Sequence, residues 1–233
     1  QEILRRRREA LYDMYSARIG EIINGSVHRF EGRNVWINLG EVEALLPEEE
    51  RIPGERYITG RRLRAYLYQV EKTQGDPRIY VSRAHPQFVA KLLELEVPEI
   101  EQGLLEIVRV ARVPGVRSKV VLRALDPRID PVGTCVGAGG VRIRAVSREL
   151  AGEKVDIIRW SEDPKDVIKG SLAPASVLSI ELSEKEKKAV VTVPASEMSL
   201  AIGRDGHNVE LAAKVTGYDI EIRSPAGDDS SEG

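Results

Sequence analysis

The 233 residues are 42% hydrophobic and 31% charged, with a formal net charge of −2; this suits two or three small folded domains and excludes a chain-wide basic field, so any nucleic-acid site must be local. Cys135 is the single cysteine, which excludes an internal disulfide and a cysteine-built zinc site, and His28, His85 and His207 share no metal-ligand spacing, so neither metal nor cofactor is expected. No apolar run approaches the roughly 18 residues of a membrane span and no signal peptide is visible, which makes a cytoplasmic protein without a membrane partner the expectation.

Gln1 to Arg18 has helical spacing, with Ile3, Leu4, Leu11, Met14 and Tyr15 as a partial apolar stripe. The run Arg5-Arg6-Arg7-Arg8 reads as a solvated face or linker rather than an RNA contact. A chain opening on Gln1 with a helix reads as a fragment, so residues 1–18 are expected to be a helical linker from a preceding domain. From Ile19 to Ala84 the pattern changes to period two. Ile19–Phe30, Val35–Leu39, Glu43–Leu46, Leu63–Val70 and Ile79–Ser82 are the predicted strands, and five short strands in about 65 residues suit a closed all-β barrel of the OB type over 19–84. Arg61, Arg62 and Arg64 fit either a phosphate-binding edge or a solvated strand face.

His85-Pro86 ends the last strand. Gln87–Leu95 is helical, and Leu104–Arg112 with Val116–Leu125 forms a hairpin around Pro114-Gly115. Then comes Val136-Gly137-Ala138-Gly139-Gly140-Val141-Arg142, two glycines three apart between two helix-like segments, closed by the strand Lys154–Trp160. Pro164–Leu172 starts the cycle again. Val177–Leu182 and Lys188–Val193 pair across Ser183–Glu186, and Ser196 is the expected N-cap of the next helix. Ile202-Gly203-Arg204-Asp205-Gly206-His207-Asn208 repeats the glycine spacing, and Asp219–Arg223 closes the unit. The expected units are 85–163 and 164–224, with a disordered tail at 225–233.

Glycine is needed at such a bend because a tight helix-to-helix turn demands angles that Cβ atoms resist, and because another backbone can then come close. The following helix begins at the bend, so its unpaired N–H groups and positive dipole end suit an anion. A lone match to this spacing is weak, and a plain capping turn is the alternative; two copies in one frame carry more weight. Val136–Gly140 also resembles a dinucleotide-binding turn with Asp156 about 20 residues on. Against that, Arg142 occupies the third glycine position, and Asp130-Pro131-Val132-Gly133 is no buried strand. No catalytic motif emerges, so the chain is not expected to be an enzyme. Cys135, among Val132 and Val136, reads as a buried structural thiol.

Two resemblances carry the functional expectation. Gly25-Ser26-Val27, Val35-Trp36-Ile37, Glu43-Ala44-Leu45-Leu46-Pro47 and Ile79-Tyr80-Val81-Ser82-Arg83 resemble an S1-type RNA-binding barrel. That resemblance implies a stacking role for Trp36 and a basic contact at Arg78; an ordinary half-buried strand residue is the equal alternative for Trp36. Arg33 and Pro47 replace an aromatic and a histidine of the S1 pattern, which implies weaker stacking. The order helix, strand, strand, helix, glycine bend, helix, strand, found twice, resembles KH domains in their bacterial, type II arrangement, whose GxxG loops grip nucleic-acid backbone.

Barrel, KH and KH in that order, with Ser82-Arg83-Ala84-His85-Pro86, Asp130-Pro131-Val132-Gly133-Thr134-Cys135-Val136-Gly137 and Leu200 to Asn208 among the long segments, resemble the RNA-binding part of the NusA family of bacterial transcription factors. The resemblance implies a multidomain α+β and all-β protein that binds nascent single-stranded RNA and modulates pausing, termination and antitermination. It implies RNA polymerase as a partner, mainly through an N-terminal domain with no counterpart here, and other antitermination factors. The RNA contacts it implies are Gly137, Ala138, Gly139, Gly140, Arg142 and Arg144 at the first bend and Gly203, Arg204, Asp205, Gly206 and His207 at the second, extended by Trp36, Arg78 and Arg83 of the barrel. Two other classes remain open: the RNA-binding portion of an RNA-processing or decay enzyme, and a protein-binding scaffold.

Overall fold

Alternating burial builds the first unit. In a computed structural model, which describes residues 1–225, β1 (Ile22–Glu31), β2 (Asn34–Asn38), β3 (Glu43–Leu46), β4 (Arg62–Glu71) and β5 (Arg78–Ser82) close into a barrel in the order β1-β2-β3-β5-β4. Its interior is filled by Ile23, Val27, Val35, Ile37, Ala44, Leu46, Leu67, Ile79 and Val81. Gly25 must lack a side chain, because a Cβ there would stand 2.5 Å from Ile37 Cγ2. α1 (Glu2–Ser16) precedes the barrel and sinks Leu11 and Tyr15 into its core. The arginine run is therefore not simply solvated. Arg5 and Arg6 bond Glu2, but Arg7 donates to Asp76 Oδ1 (2.8 Å) and Glu41 O, and Arg8 donates to Gln74 O, tying the helix to barrel loops.

The second unit comprises α2 (Pro86–Glu96), α3 (Pro98–Glu101), β6 (Leu105–Val113), β7 (Arg117–Ala124), α4 (Pro131–Val136), α5 (Val141–Glu149) and β8 (Lys154–Arg159). The third repeats it with α6 (Pro164–Ser171), β9 (Ser179–Ser183), β10 (Lys188–Thr192), α7 (Met198–Ile202), α8 (His207–Thr216) and β11 (Asp219–Arg223). Both sheets run hairpin first, β6-β7-β8 and β9-β10-β11, with the closing strand parallel to the middle one. A closed barrel followed by two units with the element order expected of KH domains is thus the architecture.

Local chemistry starts the helices. α2, α4 and α6 each begin with proline at the first helical position, where its missing N–H costs nothing. His85 Nδ1, Asp130 Oδ1 and Asp163 Oδ1 accept from the backbone amides two residues on. The expected cap at Ser196 is not formed. Pro194 leads into a 3-10 turn over Ala195–Glu197, Ser196 lies inside it, and α7 starts at Met198 without a side-chain cap. Cys135 is fully buried in the second unit's core with Phe88, Leu93, Val120 and Val146, and burial pushes its thiol up to about 11. The tail expected to be disordered lies, from residue 226 on, outside the described residues.

Two joints hold the units together. Between barrel and first KH unit, Arg83 is completely buried and uses all five guanidinium N–H donors. Nε and Nη2 bond Glu55 (2.7 Å each), Nη1 bonds Arg64 O and Glu149 Oε1, and Nη2 also bonds Glu149 O. Beside it Arg112 is paired with buried Glu153. Ile52 of the barrel unit enters the KH core, and Tyr66 stacks on His85 at 4.6 Å. Between the two KH units, Leu211 and Val215 of α8 pack on Ala111, Val121 and Ile158 of the first unit's sheet. α8 therefore serves two cores, with Ala212 facing its own.

Candidate nucleic-acid interface

The two bends have the same backbone. Gly137 (φ 78°, ψ 167°) matches Gly203 (78°, 168°), Gly139 (62°, 17°) matches Asp205 (55°, 22°), and Gly140 (77°, 17°) matches Gly206 (74°, 9°). The first glycine of each pair lies in a region that is essentially glycine-only. It also needs room. A Cβ on Gly137 would stand 2.9 Å from Arg142 Cγ, and one on Gly203 2.6 Å from Asn208 Cβ.

These contacts reveal residues whose roles the sequence did not disclose. Arg142 and Asn208 each lie five residues past the first glycine and reach back to the helix before the bend. Arg142 Nη1 donates to Thr134 O (3.0 Å), and buried Asn208 Nδ2 donates to Ala201 O (2.9 Å) and Leu172 O. Different side chains brace the same turn; their shared offset from the glycine is the signal that could have exposed them. Arg142 therefore differs from the expectation. Its guanidinium is half-buried and paired with Glu99 at 2.9 Å, and that hydrogen bond holds the Glu99 carboxyl below its ordinary range. It is a brace with its charge matched rather than a free cation.

Both bends are open at their tips. Ala138, Gly139, Arg204 and Asp205 are exposed. Within the first bend the turn bonds are Gly137 N to Gly133 O and Gly140 N to Gly137 O; within the second, Gly203 N to Ser199 O and Gly206 N to Gly203 O. The amides of Ala138, Gly139, Arg204 and Asp205 make none of these turn bonds, and α5 and α8 begin directly behind them. Exposed N–H groups and the positive end of a helix converge on each tip. Arg144, exposed, brings Nη1 back toward Gly140, and Arg204 is exposed on the second tip. His207 is half-buried, with Nδ1 3.8 Å from Glu210. Val141, Leu200 and Ile202 add exposed apolar surface beside the bends.

The dinucleotide alternative loses its geometry here. The turn follows a six-residue helix, and Asp156 holds Lys119 Nζ and Arg117 Nε, each at 2.7 Å. On the barrel, Trp36 and Arg78 line one shallow cleft of about 230 Å³, so the structure brings those two expected contacts together. The Trp36 ring is already covered by Arg29, 4.6 Å from its centroid, and its indole N–H donates to Glu31. Arg83 is not in that cleft. The expected RNA contact at Arg83 is corrected: zero exposure and five internal bonds make it an interdomain tie. Among the described residues no group of His, Cys, Asp and Glu could hold a metal, and no helix is long and apolar enough to cross a membrane.

Comparison with known proteins bears on the two repeated units. Residues 83–160 match the NusA-like first KH domain and residues 164–230 the NusA-like second KH domain. A transcription termination/antitermination protein NusA of Thermus thermophilus is 47% identical over 233 residues, covering 100% of this chain and 60% of that relative. Proteins of the same name from Bacillus subtilis and Halalkalibacterium halodurans are 44% and 45% identical, each across 96% of this chain and 60% of the relative. The chain thus spans about three fifths of the length of these curated relatives. With a barrel, two consecutive KH units and this likeness along its whole length, the chain belongs to the NusA family.

Proposed function

We propose that the chain binds single-stranded RNA through its two glycine bends and acts on nascent transcripts as part of a transcription termination/antitermination protein, modulating pausing, termination and antitermination. The observation that carries this reading is the pair of exposed bends with matching torsions, each at the start of a helix, on two units joined by one buried seam. Gly137 to Gly140 and Gly203 to Gly206 hold successive phosphates through backbone N–H groups, Arg144 and Arg204 supply charge, and neighbouring apolar side chains meet splayed bases. Trp36 and Arg78 add a weaker third contact on the barrel. Linking weak sites at fixed spacing raises affinity through effective concentration. RNA polymerase and other antitermination factors are the protein partners in this reading, the polymerase being engaged mainly outside the span matched here.

The test replaces Ala138 and Gly139 together by Asp, and Arg204 by Asp, and measures single-stranded RNA binding by fluorescence anisotropy, with duplex RNA and DNA as controls. Combining the three changes weakens single-stranded RNA by at least about tenfold, since each good phosphate contact removed costs on the order of 1 kcal/mol. Unchanged affinity in folded variants overturns the reading.

A further inference from the structure

Where the barrel meets α5, an open cleft of about 590 Å³ is lined by Asn24, Ser26, Asn38, Arg62, Arg64 and Glu149. Strand register places the first five on one outer face. Ser26 pairs with Asn38 on β2 and with Arg62 on β4, and Asn24 pairs with Arg64. Inward-facing Ile23, Val27, Leu63 and Ala65 alternate with them, so the polar row is dictated by the two-residue strand period.

Charge in the cleft is unmatched. The three arginines of this stretch part company: Arg61 turns to Glu55 and Arg56 O, while the guanidinium groups of Arg62 and Arg64 take no partner among the described residues. The nearby acids are already engaged. Glu149 accepts from Arg83 and from the Arg64 amide, and Glu55 accepts from Arg83 and Arg61, so two carboxylates face two other cations. Two free guanidinium forks remain over a floor of amide and hydroxyl donors. That donor set suits phosphodiester oxygens, which Arg binds through paired N–H groups. The opposite end of α5 is the first glycine bend, about 13 Å away along nine helical residues. Arg144 and Arg148, both exposed, lie one turn apart on that helix.

We infer that this cleft is a further backbone subsite for single-stranded RNA, gripping the phosphates that flank the stretch held at the first bend. It is separate from the Trp36 cleft and reads charge rather than base. The inference rests on the proposed RNA-binding function and extends the path from the first bend onto the barrel.

The test compares an RNA of about 8 nucleotides, enough for two KH units at about four each, with one of about 20 nucleotides. Replacing Arg62 and Arg64 together by Ala lowers affinity for the longer RNA by about fivefold or more. It also reduces the log–log salt slope by about 1.4, two phosphates at about 0.7 each, and leaves the shorter RNA unchanged. Arg62→Lys with Arg64→Lys restores the slope, which keeps the test readable should the alanine pair loosen the fold. Wild-type affinity and slope for the longer RNA in the alanine pair overturn the subsite, as does equal weakening of both RNAs. Inorganic phosphate binding to wild type but not to the alanine pair, while the longer RNA binds both equally well, would mark a free-anion site and overturn it too. The aspartate variants of the bends separate the two readings: they weaken both RNAs if the bends are the grip, whatever the arginine pair does.

Discussion

Arg83 Nη1 stands 2.9 Å from Glu149 Oε1, and by that bond the last strand of the barrel is fastened to the last turn of α5, the helix that starts at the first bend. Glu55 completes the tie from the barrel side. Replacing Arg83 by Met leaves Glu55 buried without its main partner, and the variant loses about 3–5 kcal/mol of stability in urea titration. RNA affinity measured well below the unfolding range falls little at the short RNA, because Arg83 touches no open surface. A large loss of binding with unchanged stability contradicts the assignment of Arg83 as a tie.

Acid should expose the same joint. Burial alone raises the Glu55 carboxyl, but hydrogen bonds and charge from Arg83, with Tyr57 and Arg61, hold it below its ordinary 4.5. A carboxyl that titrates lower when folded stabilises the fold fully above the unfolded value, and that contribution disappears as pH falls through the folded value. Wild type therefore loses stability on acidification below about 4.5. In Arg83→Met, burial is unopposed, the folded carboxyl rises, and the deficit relative to wild type shrinks as pH is lowered from about 7 to about 4. Denaturation midpoints at several pH values decide it; a deficit that grows with acid is the contrary result.

The two glycines of one bend should not respond alike. Gly203→Ala meets Asn208 Cβ at 2.6 Å and Asn208 N at 2.9 Å in a backbone region closed to alanine, whereas Gly206→Ala meets nothing within 4 Å and needs only a left-handed residue. The first change costs about 3 kcal/mol or more, the second about 1 kcal/mol. Thermal unfolding of the two variants ranks them, and equal costs would show that Asn208 does not brace the turn.

Gly139 and Asp205 occupy the same left-handed position, which allows an exchange with little structural cost. Asp205→Gly changes stability by about 0.5 kcal/mol or less, because relief of Cβ strain and lost chain entropy oppose each other. It removes a carboxylate from an exposed tip, so single-stranded RNA binds more tightly. Gly139→Asp does the reverse at the first bend. Anisotropy titrations of both variants read the opposite signs directly; the same sign for both would separate the bends from the phosphates.

Much of the fold was legible because its causes are local. Alternating apolar residues gave five strands of a barrel within one to three residues of their ends, and Glu43–Leu46 and Asp219–Arg223 coincide with the observed strands. The repeated glycine bends were legible because a Gly-only conformation leaves no choice of residue. The roles of charged residues were not. Arg78, the first residue of β5, and Arg83, the residue just after that strand, look equivalent, yet Arg83 is claimed by carboxylates 28 and 66 residues away, and Arg142 by one 43 residues away. Ion pairs over such separations follow from tertiary packing, and no spacing rule carries them. Ser196 failed for a related reason: a good capping residue was displaced by a tighter turn that Pro194 introduces.

The helix α8 begins at one glycine bend and rests its Leu211 and Val215 on the sheet of the neighbouring unit. The spacing of the two bends is consequently set by the apolar packing of α8 on that sheet. On the proposed reading, an unpaired strand held at both bends has to span that fixed interval, so reach is settled by packing in the protein and not by the ligand.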